Sequence, residues 1–390
     1  MLGAAFAAGL LMTLGQLQWD AGLRAEGRVL RDAAGDLQLE PFFAVESLSR
    51  DAALRARYEP QVIFRAPSSR GTLDGLQRGT LSAALRLDRD TSVTATQTAS
   101  IGSADFSWLA LSPSDVPPTN VRGTVGATTA VLNEHTAVTL GERISNRLSA
   151  SLTGGFGVTG ALHQSDLGVL PRTTAAELVA ASTWTERRDT FTLGANGSYG
   201  WVTTGHTTSV FGATAAWRHA LTAASRQGLS AGVTDRRDPA LGPLYETELR
   251  GGVAVLGGDD PAQPRTVVPT AAFTLLREAP RRPGALAARV TLRYAPEIDP
   301  LTGAFRQRGE LSTSLELRLL RHLLAYAQGG LGVTPDPLPT SPRTLAQGAL
   351  GLSYEVTRSV TVSAGVRVAS LPGIDWAGVV TTTFLQHGRF

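Results

Sequence analysis

The amino-acid sequence predicts an all-β protein, a closed antiparallel transmembrane β-barrel of 18 strands, with 16 strands as the alternative. Apolar residues recur at every second position along most of the chain, which is the period of a strand with one wet face. No stretch reaches the ~20 consecutive apolar residues that a membrane-spanning helix needs. With 42 glycines, 18% charged residues and a mean hydropathy of zero, the composition suits a two-faced sheet.

The first segment is predicted to direct export and to precede the barrel. Residues 1–14 are apolar and small, about as long as the hydrophobic region of a signal peptide and too short to span a bilayer. We therefore expect residues 1–16 to be an export segment, cleaved near Gly15, and residues 17–390 to form the barrel. A short buried helix is the alternative for this segment.

The alternation defines two faces on each predicted strand. In the first strand, apolar residues from Leu17 to Val29 alternate with polar residues from Gln18 to Arg28. Aromatic residues on the apolar phase are expected near the membrane interface: Trp19, Tyr58, Tyr199, Trp201, Trp217, Tyr294 and Tyr354. The apolar phase as a whole is expected to face lipid, including Leu148, Leu152, Phe191, Leu193, Val360, Val362 and Val366.

The connections between the predicted strands are of two kinds. Very short turns at 144–146 and 357–359 contrast with longer Pro- and Gly-rich loops at 102–120 and 334–342, an asymmetry typical of membrane barrels. The alternation gives nineteen candidate segments, whereas single-chain bacterial barrels have even strand numbers, so one segment is in excess. The least regular segments are 91–101, 228–235 and 266–278. Closure of the sheet predicts adjacent termini, because a spanning sheet has no free edge.

Charged residues on the polar phase are expected to point into the barrel. A charge that faces lipid at the midplane costs roughly 2 to 4 kcal/mol, so the outer wall cannot hold many of them. Opposite charges on neighbouring strands would brace the wall, whereas unpaired arginines would line a passage. Asp88 is also assigned to the polar phase and is therefore expected to point into the barrel. The candidate lumen-lining residues are Arg55, Arg57, Arg65, Arg289, Arg293, Arg367, Glu26, Glu40, Glu59 and Glu316.

With these features the chain resembles the outer-membrane β-barrels of Gram-negative bacteria. The resemblance rests on the export segment, the alternation, the contrast between turns and loops, and the final Phe390, which Phe384 and Val380 precede. It implies an outer-membrane location, contact with outer-membrane lipid, and recognition of Phe390 by the barrel-assembly machinery. In size the chain is similar to general porins and to the accessory barrels of polysaccharide export, which is an analogy of fold.

Motifs for catalysis, cofactors, metals and nucleic acids are not found. Cysteine is absent, which excludes disulfides and thiolate chemistry, and the six histidines show no paired metal-binding spacing. The evenly spread net charge of +3 does not predict a nucleic-acid partner. His163, Ser165 and Asp166 could serve a barrel hydrolase, but a polar surface cluster accounts for them better.

The sequence therefore predicts a non-enzymatic barrel, without cofactor, that forms an aqueous passage for hydrophilic solutes. Its inward arginines predict a weak preference for anions. One alternative is the membrane exit of a polysaccharide export assembly, with periplasmic export proteins as partners. A barrel hydrolase is the other. No strand run marks an interface between subunits, so a monomer is expected.

Overall fold

A computed structural model describes residues 16–30, 35–66, 73–105, 128–164, 167, 171–203, 205–220, 244–258, 265–278, 283–298, 305–333, 344–370 and 374–389. Residues 1–15, the candidate segment 228–235, Ser165, Asp166 and Phe390 lie outside these ranges, as does the side chain of Arg65. In the described ranges no helix is long and apolar enough to cross a membrane.

The described residues form nineteen strand segments of one antiparallel sheet. Most of them exceed the ~9–11 residues with which a tilted strand crosses a bilayer. The segments are β1 Gln16–Leu30, β2 Gly35–Leu48, β3 Ala52–Tyr58, β4 Gln61–Ala66, β5 Leu73–Arg86, β6 Thr91–Asp105, β7 Thr128–Arg143, β8 Leu148–Ala161, β9 Thr173–Glu186, β10 Asp189–Val202, β11 Thr207–Ala220, β12 Leu244–Gly258, β13 Thr266–Glu278, β14 Leu286–Ile298, β15 Phe305–Leu320, β16 Leu323–Val333, β17 Thr344–Thr357, β18 Val360–Ser370 and β19 Ile374–Arg389.

The sheet closes on itself, because β19 pairs with β1 and Gln18 lies opposite Arg389. β3 and β4 are two halves of one strand, since both pair with β2 on one side and with β5 on the other in a single register. Their ladder breaks where the register places Pro60 opposite Pro41, two residues without a backbone N–H. The barrel therefore has 18 strands, as the sequence predicted, and its first and last strands are adjacent.

Along the strands, apolar side chains are more exposed than the polar side chains next to them, the opposite of what a soluble protein shows. In β10, Phe191 and Leu193 are 48% and 66% exposed, whereas Thr190 and Thr192 beside them are half-buried. The polar phase thus occupies the crowded, concave inner face and the apolar phase the convex outer face. The other residues predicted to face lipid lie on the same outer face, some exposed and some half-buried: Leu148, Leu152, Val360, Val362 and Val366.

Tight turns join the strands at the end of the barrel that also holds Gln16 and Arg389, here called the turn end. They lie at residues 49–51, 87–90, 144–147, 187–188, 321–322 and 358–359. The opposite, or loop, end holds the connections 106–127 and 334–343. One long connection, 221–243, lies at the turn end.

The structure corrects two details of the sequence prediction, the position of Asp88 and the start of the loop after β6. Asp88 lies in the turn between β5 and β6, where its carboxylate accepts hydrogen bonds from the N–H groups of Asp90 and Thr91, both at 2.8 Å. The loop predicted from residue 102 does not begin there, because β6 continues to Asp105. Gly102 adopts a φ of +144° inside β6, which glycine tolerates, and the ladder with β7 continues past it. The irregular segments 91–101 and 266–278 are both strands.

Candidate functional site

The inner wall of the barrel is the candidate functional site. Residues that lie opposite each other on paired strands share a face, so the register assigns the inward positions strand by strand. Arg65 is on the inward phase by its backbone position. The other predicted candidates also occupy inward positions: Arg55, Arg57, Arg289, Arg293, Arg367, Glu26, Glu40, Glu59 and Glu316.

Glu26 is the centre of a buried ion-pair network at the seam where the two ends of the chain meet. Its carboxylate lies 2.8 Å from Arg24 Nη2 and 2.8 Å from Arg28 Nε, and the residue is 2% exposed. Arg367 of β18 donates to both carboxylate oxygens at 3.0 and 3.1 Å, and Thr381 of β19 donates at 3.2 Å. Side chains from three strands therefore converge on one carboxylate, in the bidentate geometry that favours arginine.

The network continues onto β2. Gln38 accepts a hydrogen bond from Arg28 Nη2 and donates one to Glu40, while Arg24 Nη1 lies 3.3 Å from Glu40. Arg28, Gln38 and Glu40 are buried, so each polar group needs such partners. Three arginines and two glutamates share the network, which leaves a formal charge of +1.

A further ion pair braces the adjoining strand. Arg57 donates to Glu59 from Nε at 3.0 Å and from Nη2 at 3.2 Å. Its guanidinium carbon also lies 4.6 Å from the centroid of the Phe42 ring, a cation–π distance. These contacts hold the guanidinium of Arg57 against the wall.

Other inward charges are left open to water. Arg55, Arg289 and Arg293 are exposed and have no ion pair within the part of the chain that the structure describes. Glu316 is exposed and has none there either. The alternation in the sequence puts Arg55 and Arg57 on the same face. Their roles differ because Arg57 is paired with Glu59, whereas Arg55 has no ion pair among the described residues.

From β6 to β11 the inner wall presents mainly hydroxyl groups and glycines. Thr139 and Thr153 hydrogen-bond at 2.8 Å, and Thr183 and Thr192 at 3.3 Å. Hydroxyls can donate and accept hydrogen bonds without adding charge. The lumen therefore has a charged side and a largely uncharged side. Further hydroxyls on the uncharged side belong to Thr94, Thr96, Thr98, Ser151, Ser198 and Thr214.

An acid–base pair that the sequence did not reveal lies within this uncharged side. His135 Nε2 of β7 is 3.0 Å from Glu177 Oε1 of β9, across the intervening strand β8. Glycines in β8 make the room. A Cβ at Gly155 would lie 2.5 Å from Glu177 Oε1, and one at Gly157 would lie 3.3 Å from His135 Cδ2. In the sequence, the two glycines on the polar phase of β8 are the one feature that could have indicated the pairing of His135 with Glu177.

Part of the inner wall near the loop end is buried. Ile63, Leu76, Leu256 and Val268 point inward from the loop-end halves of their strands and are only 4%, 8%, 3% and 2% exposed. Towards the turn end, inward residues such as Arg55 are exposed. An inward side chain can be buried only if it is covered from within the barrel. These four positions are therefore covered from within the barrel, whereas Asn133 and Arg293, in the loop-end halves of β7 and β14, are exposed.

Of the candidate hydrolase residues, the structure describes only His163. His163 is exposed just beyond β8, while Ser165 and Asp166 lie outside the described residues. Within the described ranges no group of three or more metal-binding side chains occurs.

Comparison with known proteins agrees with this architecture. Neither a protein-family model nor a curated protein sequence matches the chain. Among solved structures, the outer membrane protein OpdK from Pseudomonas aeruginosa matches with a TM-score of 0.51 at 11% identity, covering 95% of this chain and 99% of that one. The chain has the fold of Gram-negative outer-membrane β-barrels.

Two further structures from Pseudomonas aeruginosa give the same result. OpdK with vanillate has a TM-score of 0.50 at 10% identity, and OccK1 (OpdK) has a TM-score of 0.50 at 11% identity. Each covers 95% of this chain and 99% of the matched chain. At such identities the likeness concerns the fold. The predicted outer-membrane location agrees with it and with the apolar outer wall.

Proposed function

We propose that the barrel spans the outer membrane and forms a passage for small hydrophilic solutes, with a weak preference for anions. The observation that supports it best is the exposed, unpaired set of inward arginines, Arg55, Arg289 and Arg293, in a closed barrel of 18 strands. Barrels of about 16–18 strands are wide enough for an aqueous channel.

The preference for anions follows from the balance of paired and unpaired charges. The Glu26 network retains a formal charge of +1, and the three exposed arginines outnumber the exposed Glu316. Arginine stays protonated at any physiological pH. The low-dielectric wall of a channel focuses such fields on a passing solute. The other inward acids offset part of this charge, so cations are disfavoured without being excluded.

Covered positions of the inner wall favour small solutes over a polymer. Inward side chains such as Leu256 and Val268 are covered near the loop end, which reduces the free cross-section. Below them, the hydroxyls of the uncharged side can replace water hydrogen bonds of a polar solute as it passes.

Reversal potentials of the purified barrel in a planar bilayer under a salt gradient test the proposal. The wild type should conduct and show a small anion preference. Replacing Arg55, Arg289 and Arg293 together by Ser should shift the reversal potential towards cations and leave folding intact, because none of them makes an ion pair with a described residue. Arg358→Ser, in the turn between β17 and β18, is the control. A barrel that never conducts, or a wild type that prefers cations, would overturn the proposal.

A further inference from the structure

A carboxylate lies on the outer wall, well inside its apolar belt. Glu134 of β7 occupies an outward position, between Leu132 above and Val138 below on the same face. Gln97 of β6 is also outward, and its Nε2 donates a hydrogen bond to Glu134 Oε1 at 3.0 Å. Other outward acids whose side chains the structure describes, Glu142, Glu186 and Asp189, lie at strand ends beside the turns.

This position is unfavourable for an isolated barrel in lipid. A polar or charged side chain on a lipid-facing wall costs free energy, most of all near the midplane. The hydrogen bond from Gln97 satisfies one carboxylate oxygen. Among the described residues nothing donates to Glu134 Oε2, and the second N–H of the Gln97 amide has no acceptor. Both groups are therefore available to a partner within the membrane.

Small residues lie near the pair, together with larger apolar residues: Leu81 is opposite Gln97 and Val158 is opposite Glu134 in the register. An added Cβ at Gly79 of β5 or at Gly154 of β8, both outward, would meet no atom within 4 Å. Ala95 and Ala99 flank Gln97 on the outward face of β6. Small residues allow the backbones of two membrane proteins to approach closely, and polar side chains then hydrogen-bond across the contact.

We propose that this outer face of β6 and β7 is where a second copy of the chain docks, related by a two-fold axis along the membrane normal. Copies in one membrane share their orientation, and a rotation about the normal keeps each residue at its height. Gln97 and Glu134 lie at nearly the same height, since they hydrogen-bond. An axis between β6 and β7 therefore brings Gln97 of each copy to the partner's Glu134.

The pair is self-complementary under this symmetry, as a two-fold contact requires. The second N–H of each Gln97 would donate to Oε2 of the partner's Glu134. Two amides and two carboxylates would then form a closed ring of four hydrogen bonds, shielded from lipid by the apposed walls of the two barrels. The inference needs only that the barrel lies in a membrane, and it is independent of what passes through the lumen.

Single-cysteine cross-linking tests the contact, because the native chain has no cysteine. The test variant is Ala99→Cys, because Ala99 lies directly opposite Glu134 in the register. The matched control is Ala271→Cys, because Ala271 is exposed on the outer face of β13. Each purified variant is reconstituted alone into lipid vesicles and oxidised. A covalent dimer of A99C and monomeric A271C are expected. Equal cross-linking at the two positions, or none at either, would overturn the proposal. Absence of cross-linking is also the result expected if this face binds a different protein, which is missing from the vesicles.

Substitutions of Glu134 in the A99C background separate a contact between copies from simple exposure to lipid. Glu134→Leu should lower the yield of dimer and raise the dimer dissociation constant at least about tenfold, through the loss of two intersubunit hydrogen bonds. Glu134→Gln keeps a hydrogen-bonding side chain and should retain most of the dimer. If Glu134 merely faces lipid, E134L would leave cross-linking unchanged and would make the barrel more resistant to urea, which contradicts the proposal.

Discussion

Inward arginines of this barrel differ in what surrounds the guanidinium. Arg28 is buried and bonded to Glu26 and Gln38, while Arg57 is held by an acid and an aromatic ring. Arg293 is exposed. Removing one partner of a buried ion pair leaves an uncompensated charge, whereas changing an exposed charge mainly alters the local field. Residues of one type on one face can therefore contribute separately to stability and to selectivity.

Glu26→Gln should destabilise the barrel strongly. The substitution leaves Arg24, Arg28 and Arg367 around a neutral amide at a buried position, a change that typically costs about 3–5 kcal/mol of unfolding free energy. Urea unfolding in lipid vesicles measures it. Glu316→Gln, at an exposed inward position, should change the same quantity by less than about 0.5 kcal/mol. Equal effects of the two substitutions would show that the Glu26 network does not stabilise the seam.

Asp88 should make the stability of the turn between β5 and β6 depend on pH. Hydrogen bonds from the backbone N–H of Asp90 and from Thr91 hold the pKa of its carboxyl below the usual value. Because the folded pKa is lowered, the stabilisation is present above the unfolded pKa of about 3.9 and is lost as the pH falls through the lower, folded pKa. The stability difference between wild type and Asp88→Ala should therefore shrink below about pH 4. Asp88→Asn, which keeps an acceptor oxygen, should remove the pH dependence and keep part of the stability.

At the scale of strands, glycines on the inner face allow close packing of larger side chains. Gly351 of β17 and Gly365 of β18 lie opposite each other in the ladder. A Cβ at Gly351 would lie 2.6 Å from the Tyr326 hydroxyl, and one at Gly365 would lie 2.9 Å from it. Tyr326 of β16 thus covers two glycines on adjacent strands, a known means of fixing strand register.

Gly351→Ala should weaken the pairing of β17 with β18. Its Cβ would lie 2.5 Å from the backbone oxygen of Ala364, which cannot rotate away as a side chain could. Overpacking of this kind costs about 1–3 kcal/mol. Gly378→Ala, on β19, meets no atom within 4 Å and serves as the control. Hydrogen exchange of the β17 and β18 amides should accelerate in G351A alone, and protection equal to that of the wild type would argue against close packing here.

At the scale of the whole molecule, what could be predicted from the sequence depends on whether a feature is local. The faces of β10 follow from a period of two within one strand, so the outward placement of Phe191 and Leu193 was predictable. The bond from Arg367 to Glu26 joins residues 341 positions apart and exists only because β18, β19 and β1 become neighbours on closure. The outward Glu134 escaped prediction because Asn133, Glu134, His135 and Thr136 are all polar, and an unbroken polar run does not alternate.

Adjacent residues of β10 test the two faces of the barrel against each other. Leu193, 66% exposed on the outer wall, and Thr192, on the inner wall, are consecutive in sequence and differ only in the face they occupy. Leu193→Arg places a charge on the lipid-facing wall and should lower the free energy of unfolding in vesicles, by up to the roughly 2 to 4 kcal/mol that such a charge costs at the bilayer midplane. Thr192→Arg should fold nearly as well as the wild type, because its charge meets water in the lumen, and should shift the reversal potential towards anions. If T192R destabilised the barrel as much as L193R and left the reversal potential unchanged, the inner wall near Thr192 would not be open to ions.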